Sequence, residues 1–127
     1  MISYDDFKKV EIRAGKILSA EKIPDTDKLL KLSVDFAEFD EQAGADGQAV
    51  RTHKPRQIVS GIAAYFPDPA VLVGKICMFV TNLEPRMIRG FESNGMLFAV
   101  SSANPDGTTA FSLLEPDASI PPGTRAA

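Results

Sequence analysis

The chain has 127 residues, the size of one domain, and 44% of them are hydrophobic, which excludes a disordered polypeptide. No apolar run approaches the roughly 18 residues of a membrane-spanning helix, so we expect no membrane partner. The net charge of −3 argues mildly against nucleic-acid binding, although residues 51–91 carry six bases against two acids, a local charge of +4. Charge alone favours a merely solvated basic surface.

The N-terminal stretch MISYDDFKK lacks the basic-then-apolar order of a signal peptide. The single cysteine, Cys77, lies in the apolar run ICMFV, which indicates a buried, unreactive thiol. We therefore expect a cytosolic protein.

The first half of the chain predicts a short helix followed by strands. Ser3 and Asp6 are spaced as a capping box, which predicts one or two helical turns over 3–9. In residues 10–18 the apolar period becomes two, with Val10, Ile12, Ala14 and Leu18 mostly on one face, and Gly15 predicts a bulge or a sharp bend. After a turn at 23–28, residues 30–36 alternate strictly, which predicts a half-buried strand.

The second half predicts the remaining strands. Residues 40–50 are polar and rich in glycine, which predicts a hairpin tip or a flexible insertion and in either case a mobile segment. Pro55 marks an edge position or an interruption in the next strand. A connector with Tyr65 and Phe66 packed beneath it leads to a strand over 76–83. A long loop over 83–95 precedes a fifth strand that begins at Gly95, and NPDG then turns the chain into a pairing partner, TAFSLLEP.

Five principal strands, glycine bends and almost no helix predict an all-β OB-fold barrel, a single domain over 1–127 with a short N-terminal helix. Such barrels bind ligands on the face of their second and third strands and between the loops after the first and fourth strands. Those loops fall here at 20–28 and 83–95.

The residues do not predict catalysis, a metal or a cofactor. One histidine and one cysteine are too few for a structural zinc site, and no glycine-rich phosphate loop is present. His53 and Ser60 would be roughly 23 Å apart along one extended strand, too far for a nucleophile and its base. A binding module is the better class.

The aromatic residues indicate which kind of ligand such a module takes. Phe36, Phe79 and Phe98 are predicted in the core, and Phe91 is the one loop aromatic positioned for exposure. Single-stranded binders on this fold need exposed stacking platforms. Few platforms and clustered bases favour recognition of folded RNA by its backbone and shape.

Seven fragments carry a family likeness by their order and spacing. They are FKKVEIRAGKI at 7–17, PDTDKLLKLSVD at 24–35, RQIVSGI at 56–62, LVGK at 72–75, TNLEPRMIRG at 81–90, ESNGML at 92–97 and PPG at 121–123. The chain resembles the tRNA-binding domain that occurs free-standing and appended to methionyl-tRNA synthetases. The resemblance covers nearly the whole chain.

This resemblance implies an OB-fold with C-terminal additions, no catalysis of its own, and binding to the folded outer corner of tRNA. It also implies a homodimer, which the apolar, proline-containing tail LLEPDASIPPG supports, and an association with methionyl-tRNA synthetase is a further expectation. One branch of the family consists of export-associated chaperones that bind unfolded polypeptide. That is the alternative function.

The resemblance also implies a set of tRNA-contacting residues. Lys28 and Lys31 take phosphate-facing positions, and the NLEPR and SNGM fragments supply most of the rest: Asn82, Arg86, Arg89, Ser93 and Met96, with Arg13 and Arg56 as supporting bases. Structural interpretations stay open for three of them: Asn82 fixing its loop, Ser93 capping a turn, and Met96 beginning a core strand. Residues 37–55 exceed the family's usual short hairpin.

Overall fold

A computed structural model describes all 127 residues. The helix α1 spans Tyr4–Lys8, and Ser3 and Asp6 form the predicted capping box. The strands are β1 (Ile12–Lys22), β2 (Leu30–Asp35), β3 (Phe39–Ala43), β4 (Ala49–His53), β5 (Arg56–Ser60), β6 (Ile76–Val80), β7 (Arg86–Ile88), β8 (Phe91–Ser93), β9 (Met96–Leu97), β10 (Ala99–Ala103) and β11 (Thr109–Leu113).

Five of these strands form one antiparallel sheet in the order β5-β2-β1-β6-β9, and the sheet curls into a nearly closed barrel. The other strands form three two-stranded hairpins, β3–β4, β7–β8 and β10–β11. The predicted OB-type barrel with a short N-terminal helix is confirmed.

The barrel core follows the predicted alternation in β2 but not in β1. Leu30, Leu32 and Val34 are fully buried, as their period of two predicts. Leu18, predicted to point inward, is 42% exposed. The register of β1 against β2 shifts between Ile17 and Ser19, and this bulge buries Ile17 in its place.

Gly15 is not the site of that bulge. A Cβ atom at position 15 would lie 2.5 Å from a ring carbon of Phe36 and 2.6 Å from a methyl group of Val34. The glycine is therefore required by close packing inside the barrel.

The region 37–55 forms a hairpin that stands apart from the sheet. β3 and β4 are exposed along nearly their whole length, and the amide of Lys54 donates to the carbonyl of Glu38 at 2.9 Å across the base. Of the two interpretations of Pro55, the interruption is the one observed, since this residue separates β4 from β5. The hairpin is confirmed, and its mobility stays a prediction.

Two connections differ from their predictions. The connector after β5 forms two 3-10 turns, Ala63–Tyr65 and Pro69–Leu72. Phe66 packs against the core as expected, but Tyr65 is exposed and stacks on Phe111 with ring centroids 3.9 Å apart. The fifth strand, predicted as continuous, is interrupted at Phe98 and forms two strands, β9 and β10.

The C-terminal tail docks on β1 of the same chain. The carbonyl of Thr124 accepts from Ala14, the carbonyl of Ala14 accepts from Gly123, and Ala126 donates to Ile12, at 2.7–2.8 Å. Residues 123–126 are therefore held in place by hydrogen bonds within the same chain. No helix has the length and apolar character needed to cross a membrane.

Candidate functional site

Two loops flank the outer face of β2 and β5. Because β1 continues to Lys22, the first loop covers residues 23–29, and the second loop covers 81–95 and contains the β7–β8 hairpin. In an OB-type barrel the ligand is held on this face and between these loops. The side chains around them are therefore the candidate site.

Ser93 holds the second loop against the barrel. It is only 4% exposed, and its hydroxyl accepts from the amide of Val59 at 3.0 Å and donates to the carbonyl of Gly95 at 3.2 Å. Gln57 on β5 adds two hydrogen bonds. Its side-chain amide donates to the carbonyl of Glu92, and its backbone carbonyl accepts from the amide of Asn94. The β7–β8 hairpin is thus fixed at its base.

Asn82 fixes the start of the same loop. Its side-chain oxygen accepts from the amide of Glu11 at 2.8 Å, and its nitrogen donates to the carbonyl of Lys9 at 2.6 Å. The buried hydroxyl of Thr81 donates to the Glu11 carboxylate at 2.7 Å. Sequence reasoning missed Thr81 and Glu11, since the bond between them joins residues 70 positions apart in the chain.

The two predicted supporting bases are engaged inside the chain. Arg13 donates to Glu11 at 2.7 Å and to the carbonyl of Gly123 at 3.0 Å. Hydrogen bonds from Arg13, and next from Thr81, hold the pKa of Glu11 below its ordinary value. The carboxylate therefore links the N-terminal segment to the second loop, and Arg13 extends the link to the tail.

Arg56 makes a two-bond ion pair with Glu38 at 2.7 and 2.9 Å and also donates to the carbonyl of Thr81 at 2.6 Å. Hydrogen bonding to Glu38 raises the pKa of Arg56. This guanidinium links the base of the β3–β4 hairpin to the second loop.

Lys31 projects outward from β2 between two neighbours. Its ammonium lies 3.4 Å from the Glu21 carboxylate and 4.9 Å from the centroid of the Phe91 ring. Phe91 is half-buried under this contact, so it does not offer a fully exposed stacking surface. Lys31 bridges β1, β2 and the second loop.

Three of the predicted cations carry no internal partner. Lys28 in the first loop and Arg86 and Arg89 in the second are exposed and make no ion pair or side-chain hydrogen bond. Lys22, which sequence reasoning did not single out, ends β1 beside the first loop and is equally free. These four cations lie around the two loops.

Arg89 occupies the tip of the β7–β8 hairpin in a strained conformation. Its φ is 51° and that of Gly90 is 84°, the positive pair of a type I′ turn. The first of these positions favours Asn, Asp or Gly, and a long side chain there costs free energy. Nothing in the sequence analysis indicated the strain at Arg89.

A groove of about 590 Å³ runs between the end of β5 and the second loop. Met96, 48% exposed, lies in its wall, so it does not occupy the core. Lys28 and Lys31 do not line it. Its lining combines apolar and polar side chains: Val59, Ser60, Gly61, Leu83, Glu84, Arg86, Ile88, Ser93, Gly95, Met96 and Leu97.

A family model described as a putative tRNA binding domain matches residues 48–125, which include β5, the second loop and most of the docked tail. The chain belongs to this tRNA-binding domain family. The predicted family likeness is confirmed.

The similar curated proteins are much longer than this chain. The chain is 46% identical over 125 residues to the methionine–tRNA ligase of Methanoregula boonei, covering 98% of this chain but 15% of the ligase. The chain thus spans a small part of the curated relatives it matches.

Solved structures of similar size share the fold throughout. A MetRS-related protein from Pyrococcus horikoshii is 35% identical with a TM-score of 0.74, covering 100% of this chain and 98% of that one. The CsaA chaperone protein from Picrophilus torridus is 26% identical with a TM-score of 0.69 and full coverage of both chains.

Proposed function

We propose that this domain binds tRNA without catalysing a reaction, and that it recognises the folded outer corner by backbone and shape. The observation that carries the proposal is the placement of the unpaired cations. Seven of the 14 basic side chains are tied to carboxylates inside the chain. Four of the other seven gather on or beside the two loops: Lys22, Lys28, Arg86 and Arg89. Lys8, Lys16 and Arg125 lie outside the loops. Phosphates are the natural partners of such groups.

The proposed contacts divide the predicted residues into two roles. Lys28, Arg86 and Arg89 meet phosphates, and Met96 offers a flexible apolar surface to an unstacked base at the groove. The other predicted residues position these groups through the internal bonds described above: Asn82, Ser93, Arg13, Arg56 and, through its contact with Phe91, Lys31.

The affinity is expected to be modest. The second loop also carries Glu84 and Glu92, both exposed, which offset part of its positive charge. Few phosphates are therefore neutralised, and the fall of affinity with salt has a shallow slope.

The test is a filter-binding salt titration with several tRNAs, an unstructured RNA of equal length and a duplex. Arg86→Ala should weaken all tRNAs about equally and lower the salt slope by roughly one, because one phosphate contact is lost. Lys75→Ala is the matched control, since Lys75 is paired with Glu115 at 3.3 Å outside the two loops. Equal binding of tRNA and unstructured RNA, or no effect of combined Lys28→Ala and Arg86→Ala, would refute the proposal.

A chaperone function is the second candidate. Leu83, Met87 and Met96 expose apolar surface around the second loop, which is chemistry that suits unfolded polypeptide. The likeness to a protein named as a chaperone supports the same candidate. It predicts suppressed aggregation of an unfolded client, with Met87→Ser impairing suppression and leaving tRNA binding intact.

Assembly is part of the proposal. A homodimer, with or without methionyl-tRNA synthetase as a partner in trans, remains the expectation, although the docked tail no longer motivates it. Light scattering at micromolar concentration should give about twice the 13.7 kDa chain mass. A mass equal to one chain would refute the dimer, and co-migration with the synthetase on gel filtration would support the association.

A further inference from the structure

The barrel face between the two loops carries balanced positive and negative charges. It is nevertheless the surface on which a single-stranded RNA would lie. Lys31 is the central cation of this face, and Glu21 is its cross-strand neighbour on β1. Their charged groups are 3.4 Å apart, with 64% of the glutamate side chain and 31% of the lysine side chain exposed. Ser33 and Gln57 continue the face along β2 and β5 without charge, and at its far end Lys16 on β1 stands opposite Asp35 on β2, one base against one acid.

Free positive charge flanks this balanced surface. Lys22 and Lys28 lie at the first loop, and Arg86 and Arg89 lie at the second. A rigid, folded RNA can hold phosphates at both loops at once because its backbone geometry is preset. A flexible single strand would instead follow a charged track across the face, and Glu21 removes the charge at its centre.

We propose that Glu21 determines specificity: by pairing with Lys31 it denies single-stranded RNA a cation on the barrel face and leaves folded RNA to the loops. This inference rests on the proposed function and adds the residue that excludes the wrong class of RNA. Specificity of this kind comes from weakening the competitor rather than from a new contact with the preferred ligand.

The pair has a matched counterpart elsewhere. Glu41 and Arg51 form a similar exposed ion pair on the β3–β4 hairpin, with 66% of the glutamate side chain exposed. Glu41→Gln changes the net charge as Glu21→Gln does and also releases a base, but away from the barrel face. It therefore separates a local effect from a general charge effect.

The experiment measures binding of one tRNA and of an unstructured RNA of equal length by the wild type, Glu21→Gln, Glu41→Gln and Glu21→Gln/Lys31→Gln. Glu21→Gln should steepen the salt slope for the unstructured RNA by about 0.7, which corresponds to roughly fivefold tighter binding at about 0.1 M salt. Binding of tRNA should change by less than about twofold. Adding Lys31→Gln should abolish the gain, and thermal melting should show that all variants are folded.

Three results would overturn the inference: an equal gain for both RNAs, an equal gain from Glu41→Gln, or a gain that persists without Lys31. A wild type that fails to bind tRNA would overturn the proposed function itself. A wild type that prefers tRNA, with a Glu21→Gln variant of unchanged preference, would overturn only the inference.

Discussion

Replacing Arg89 by asparagine should stabilise the protein and weaken its binding to RNA. Arg89 has a φ of 51°, and this left-handed conformation costs an ordinary residue about 1–2 kcal/mol, much of which asparagine avoids. The side chain is exposed and makes no ion pair and no cation–π contact that would be lost. We therefore expect the free energy of unfolding to rise by about 1 kcal/mol.

That gain can be converted into a melting temperature. An unfolding entropy of about 2.1 cal/mol/K per residue gives roughly 0.27 kcal/mol/K for a chain of this length, so Tm should rise by about 4 °C. The measurement is differential scanning calorimetry, paired with a salt titration of tRNA binding in which the slope should fall by roughly one.

Arg89→Lys is the control, because it keeps both the charge and the strained backbone. It should leave Tm unchanged and the tRNA affinity within about twofold. An Arg89→Asn variant whose Tm is unchanged or lower would show that the strain argument is wrong. One that is stabilised but binds tRNA as well as the wild type would show that the hairpin tip does not contact RNA.

Three further changes test the packing and the pH dependence. Gly15→Ala should destabilise the barrel by about 1–3 kcal/mol in urea denaturation, since its Cβ would press on Phe36 at 2.5 Å, and an unchanged midpoint would contradict the close packing. Ser93→Ala should cost about 1–3 kcal/mol because the buried amide of Val59 loses its acceptor, whereas a loss below about 0.5 kcal/mol would mean that water replaces the hydroxyl. Burial raises the pKa of the Cys77 thiol from 9.0 to about 11. The contribution of the protonated thiol to stability is therefore full below pH 9.0 and is lost as the pH rises from there through about 11. Denaturation at about pH 8 and pH 10 should show a larger loss for the wild type than for Cys77→Ala, and equal losses would refute the shift.

The sequence predicted the fold where the local pattern of neighbouring residues decides the structure. The alternation from Leu30 to Phe36 defined β2, and Pro55 marked a real break, because each is a property of neighbouring residues. Leu18 was assigned to the wrong face because a bulge adds a residue to one strand without a distinctive residue type. The division between β9 and β10 is likewise decided by tertiary pairing.

The candidate site was predicted in part for a related reason. Residue type and family motif identify basic and polar positions, but they do not show which are already satisfied. Arg56 is separated by 18 residues from Glu38, and Asn82 by 71 from Glu11, so their pairing is visible only in the folded chain. The internal roles of Ser93 and Asn82 were left open by the sequence and are seen in their hydrogen bonds.

The docked tail has a consequence for the integrity of the barrel. β2 pairs with β1 only from Lys16 onward, so the backbone from Ile12 to Gly15 faces away from β6 without a strand beside it. Residues 123–126 occupy that position and take up its amides and carbonyls. An uncovered strand edge is a template for intermolecular β pairing, which leads to aggregation. Proteolytic loss of these few residues would therefore expose this edge and make the domain prone to aggregate.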